Sequence, residues 1–93
     1  SREEKNLTPE HAARINGIRR QFDSKLNELL KAGCRSGDFS IPDTRLATFA
    51  IGAIGTWVQV WFKPTGRYDA RTTAAGLTDL VMTMVNAKLP SPD

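Results

Sequence analysis

Ninety-three residues suffice for one small domain and not for two, and 40% hydrophobic with 25% charged residues exclude a disordered tail. The formal charge of +3 comes from residues 1–36, where eight basic side chains face five acidic ones and are spread over several helical turns. Such a spread reads as a solvated face, because a nucleic-acid footprint needs clustered Lys and Arg. Cys34 is the only cysteine, so the chain holds no internal disulfide, and no export signal opens it. These features fit a cytoplasmic protein, and a first residue other than Met suggests a piece of a longer or processed chain.

Residues 1–7 read as a polar lead-in. Thr8-Pro9-Glu10 is then a helix start: a capping hydroxyl, a residue pre-organised for the first turn, and an acid at the positive end of the dipole. Ile15, Ile18, Phe22, Leu26, Leu29, Leu30 and Gly33 follow in steps of three and four, the pattern of a one-sided helix over about 8–36. Gly37 supplies the stop. In the connection that follows, Phe39 and Ile41 are expected to turn inward and close the end of the core.

Asp43 caps a second helix over about 43–62, and Lys63-Pro64-Thr65-Gly66-Arg67-Tyr68 forms the next turn. Asp69 caps a third helix over about 69–87, with Ala70, Ala74, Leu77, Leu80, Val81, Met84 and Val85 on one stripe and Pro90-Ser91-Pro92 beyond its end. The predicted class is all-α, a single three-helix domain.

The second helix is the unusual one. Leu46, Ala47, Phe49, Ala50, Ile51, Ala53, Ile54, Trp57, Val58, Val60, Trp61 and Phe62 cover about two-thirds of its circumference. It is too short and too interrupted by Thr, Gly and Gln to span a bilayer, which takes about 20 apolar residues. Its two neighbours cannot shield it alone, and exposed apolar patches of several hundred Å² mark interfaces. Burying a further 400 Å² would contribute on the order of 10 kcal/mol before entropy costs. A partner is therefore expected. The small or uncharged strip Thr48, Gly52, Gly55 and Gln59, with Ala75 and Met82 on the third helix, is the face expected to meet a second copy in a homodimeric four-helix bundle. The plainer reading is that the glycines make room for a bulky neighbour within one chain.

Few residues can carry chemistry. His11 has no cysteine or carboxylate at ligand spacing and reads as solvated, so no metal site is expected. Cys34 sits near a helix C-terminus, where the dipole disfavours a thiolate, and reads as a space filler. No nucleophile, base and orienting group can be assembled; neither catalysis nor a cofactor is expected. An effector pocket is expected from Arg19, Phe22, Leu26, Trp57 and Trp61, with the guanidinium holding a carboxylate or phosphate at the mouth. Against this, Arg19 and Asp23 form an ordinary i,i+4 ion pair and the tryptophans are core.

Leu29–Phe39 (LLKAGCRSGDF), Pro42-Asp43 opening a helix, and Ile51–Arg67 (IGAIGTWVQVWFKPTGR) together resemble the C-terminal half of TetR-family repressors. There a long helix ends in a Gly-x-Phe-like turn, a Gly-x-x-Gly-x-x-Trp helix follows, and a Trp-x-x-Pro-x-Gly-Arg turn leads to the last helix. The likeness spans Ile15 to Val85. It implies a preceding helix-turn-helix domain, a dimer built from the last two helices of each subunit, and a pocket for a small hydrophobic effector that releases the repressor from DNA. The turn and Trp pattern is most similar to regulators whose effectors are acyl, CoA-linked or steroid-like compounds. This chain departs from the full family pattern in lacking the reading head: its first connection is long, and the helix after it carries Arg45 and Lys63 only at its ends. DNA contact would belong to the missing N-terminal domain. A stand-alone helical protein–protein interaction module is the alternative.

Overall fold

A computed structural model describes residues 8–88, which fold into three helices: α1 (Pro9–Ser36), α2 (Thr44–Trp61) and α3 (Ala70–Met84). The lead-in 1–7 and Pro90-Ser91-Pro92 lie outside the described residues. Each helix starts where its capping side chain stands. The Thr8 hydroxyl accepts from His11 N–H at 3.0 Å, Asp43 from Arg45 and Leu46 N–H at 3.0 and 3.1 Å, and Asp69 from Thr72 N–H at 2.8 Å. Asp69 is held below its ordinary pKa of 3.8, first by the backbone bond from Thr72 and then by the Thr72 side chain.

The helix ends are equally local. Gly37 takes a left-handed φ of 86° and its N–H reaches the Cys34 carbonyl at 3.2 Å. The third helix stops at Met84, short of the expected 87, because Asn86 adopts φ 53°. Asn86 N–H bonds to Thr83 O and Ala87 N–H to Met82 O, the paired arrangement that terminates a helix through a left-handed residue.

The packed part of the molecule lies where these ends meet. Ser40 N–H donates to Val85 O at 3.0 Å, Lys88 N–H to Asp38 O at 2.9 Å, and the Asn86 amide to Ser40 O at 3.1 Å. The C-terminal end of α3 is thereby stitched to the α1–α2 connection. Leu30, Gly33 and Val85 are buried there, and the Phe39 ring lies directly on Gly33, as its inward turn predicts. α2 returns along α1, bringing Gly52 beside Asp23.

Away from that end the helices leave apolar surface uncovered. Of the α1 stripe, Ile15, Ile18, Phe22 and Leu29 remain exposed. On α2, Leu46, Phe49, Trp57, Val60 and Trp61 do the same. The radius of gyration, 16.3 Å, exceeds the roughly 12 Å of a compact domain this size. The expectation that α1 and α3 alone cannot shield α2 agrees with this geometry. No helix among the described residues is long and apolar enough to cross a membrane.

Candidate functional site

An open groove of about 920 Å³ runs between the three helices. α1 contributes Ile15, Ile18, Arg19, Phe22 and Asp23; α2 contributes a face from Phe49 to Gln59; α3 contributes Leu77, Thr78, Val81 and Met82. It opens because the backbone hydrogen bonds joining α3 to the rest fall at its C-terminal end. The walls are apolar with a few polar groups, the make-up of a small-molecule site near the upper end of the usual 300–1,000 Å³.

Among the described residues, Arg19 and Asp23 are the only charged ones lining the groove. They do not form the i,i+4 ion pair weighed from the sequence: among the described residues the ion pair found is Lys31–Glu28, at 3.7 Å. Asp23 instead leans across the inter-helix gap, its Oδ1 3.8 Å from where a Cβ on Gly52 would stand.

The two residue sets expected from the sequence are sorted differently by the fold. Arg19 and Phe22 line the groove, but Leu26, Trp57 and Trp61 do not. Leu26 is half-buried elsewhere, and Trp57 is 63% exposed on the outer side of α2. Trp61 lines a separate cleft of about 250 Å³ with Phe62, Lys63, Gly66, Arg67 and Tyr68. Gly52, Gly55, Gln59 and Met82, expected to face a second copy, line the same groove as Arg19 and Phe22. Ala75 is exposed outside it. Thr48 corrects the expected strip: it is 2% exposed, its hydroxyl donates to Thr44 O at 2.8 Å, and it presents no surface to a partner. A helical wheel gives directions around one axis and cannot say which of them a neighbouring helix will fill.

The sequence reading missed a second surface. Leu46, Ala50, Ala53, Trp57 and Val60 are all exposed, and they recur at alternating intervals of four and three. That is the seam spacing of helices that pack side by side at a shallow angle. Phe49 flanks the seam with Arg45 over its ring at 5.5 Å. The signal lies in the spacing of these residues, while the glycine strip on the other flank points a dimer assignment elsewhere. Leu46, Ala50, Trp57 and Val60 of the seam lie outside the groove, whereas Ala53 and the flanking Phe49 also line it, so the two surfaces adjoin on α2.

His11 is exposed and Cys34 is half-buried, its thiol 4.0 Å from Ile41 O. Among the described residues no three His, Cys, Asp or Glu side chains come together as a metal site would require.

These features define an all-α domain with an apolar groove and an uncovered apolar helix face. Residues 1–85 match the family model described as tetracyclin repressor-like, C-terminal domain. The chain belongs to that family, and is thus a C-terminal domain of a TetR-type transcription regulator. No curated protein and no solved structure matches it.

Proposed function

We propose that this domain senses a small hydrophobic effector and dimerises, within a repressor that the effector releases from DNA. The observation that carries the reading is that one helix, α2, holds both a groove wall and an exposed seam, of which Leu46, Ala50, Trp57 and Val60 stand outside the groove. The groove offers apolar walls and two charged groups to a small molecule. The seam offers a second copy a regular helix face, and a two-fold pair of such faces closes into a four-helix bundle. α2 then touches both ligand and the partner subunit, so displacement of α2 by ligand is felt across the interface. The domain works by binding, without catalysis. DNA contact falls to a helix-turn-helix unit outside these residues, as the family likeness implies; α2, the helix after the first connection, is apolar along its length and carries Arg45 only near its start.

Paired substitutions test the division. Trp57→Glu should abolish self-association, because it places a charge in the apolar seam. Gly55→Leu, which fills groove space, should remove the thermal shift given by a bound hydrophobic probe and leave the molar mass unchanged. If Gly55→Leu alone dissociates the pair while Trp57→Glu does not, the two surfaces have been assigned the wrong way round.

A further inference from the structure

The geometry points to a second binding site, outside the groove, that takes a one-ring aromatic acid: the cleft of about 250 Å³ at the turn between α2 and α3, with Lys63 and Arg67 holding the anion. Local chemistry builds it. Trp61 is the last residue of α2, and Phe62 leaves the helix with ψ 133°. Pro64 cannot continue the helix, and the Gly66 N–H closes the reversal on Lys63 O at 2.9 Å. A Cβ on residue 66 would stand 3.1 Å from that carbonyl, so glycine lets the turn close. The chain then brings Arg67 and Tyr68 back to the cleft that Trp61 and Phe62 line.

Charge and surface both select the ligand. Among the described residues, Lys63 and Arg67 are the only charged ones lining the cleft, and both are exposed cations, unlike the opposed Arg19 and Asp23 of the groove. Asp69, the carboxylate next along the chain, is committed to the Thr72 N–H at 2.8 Å. A cationic ligand would be repelled here, whereas an anion meets two sets of N–H donors. Arg67 stands over the Tyr68 ring, 5.2 Å from its centroid, a contact that uses the guanidinium's charge and none of its N–H donors. Trp61 and Tyr68 are 43% and 47% exposed, leaving ring surface on which a planar ligand can stack. The volume sets the size: it falls below the roughly 300–1,000 Å³ of drug-sized sites and suits a single ring with its acid group.

The test is an NMR titration of the 93-residue chain that follows the indole N–H signals of Trp61, in the cleft, and Trp57, outside it. The probes are matched in size: benzoate, cyclohexanecarboxylate, benzyl alcohol and benzylammonium. Benzoate should shift the Trp61 signal saturably and leave Trp57 unmoved. It should bind about tenfold more tightly than benzyl alcohol, through charge-assisted hydrogen bonds, and severalfold more tightly than cyclohexanecarboxylate, which has the charge without the ring face. Benzylammonium should bind most weakly. Lys63→Gln and Arg67→Gln together should bring benzoate to the level of the alcohol without changing the alcohol's own affinity; both side chains are exposed, so the fold is kept. Gly55→Leu, which fills groove space, should leave the benzoate titration as in the wild type. Equal affinity for benzoate and benzyl alcohol, normal benzoate binding by the double variant, or loss of binding in Gly55→Leu overturns the assignment, as does a Trp61 signal that benzoate leaves in place.

Discussion

Phe39 sits so close over Gly33 that any Cβ at residue 33 would overlap its ring, which makes the two positions one packing unit at the closed end of the helices. The Phe39 N–H also donates to Gly33 O at 3.0 Å, which fixes the backbone from which the ring extends over residue 33. Gly33→Ala should therefore cost about 1–3 kcal/mol in urea denaturation, through overpacking. Combining it with Phe39→Leu should cost less than the sum of the two changes, since the shorter side chain removes the clash. Gly17→Ala is the contrast. A Cβ there meets nothing within 4 Å, so the same change in the same helix should stabilise by about 0.5–1 kcal/mol.

Asp69 gives the third helix a pH dependence whose sign is fixed. Its carboxylate accepts the Thr72 N–H, and this bond lowers its pKa below 3.8 in the folded state. The folded state thus binds the proton less readily than the unfolded one. The stabilisation is present above pH 3.8 and is lost as pH falls through the lowered folded value. Tm measured against pH should show wild type and Asp69→Ala well separated near neutrality and converging in acid. Parallel curves throughout would mean that the carboxylate's charge has no part in the cap.

Asn86 closes α3 in a left-handed conformation, φ 53°, while its side chain holds Ser40 O. A β-branched residue tolerates that backbone poorly, at a cost of roughly 1–2 kcal/mol. Asn86→Val should destabilise by at least that amount in chemical denaturation, whereas Asn86→Gly should lose only the hydrogen bond. If Val and Gly are equivalent, backbone conformation is not what Asn86 supplies.

The elements themselves were legible from local signals. Thr8, Asp43 and Asp69 announce the three helix starts, and Gly37 the first stop, because capping and left-handed turns depend on one or two residues and their immediate neighbours. The end of α3 was less clear, since Asn86 lacks the glycine that usually marks such a turn and the apolar stripe continues through Val85. Site residues required knowledge of which helix faces meet. Arg19 and Phe22 could be placed in the groove from their shared face, but Trp57, drawn into the pocket by its chemistry, points away on α2. Thr48 resembles its neighbours Gly52 and Gly55 in the small-residue strip, yet it is buried while they line the groove.

The claim that a second copy covers the outer face of α2 is tested most directly by the molar mass of the 93-residue chain, from light scattering at tens of micromolar. The wild type should run at twice 10.3 kDa and Trp57→Glu at 10.3 kDa. A wild-type chain that runs at 10.3 kDa and still melts cooperatively would contradict it, because the Leu46-to-Val60 seam would then be stable in water without a partner.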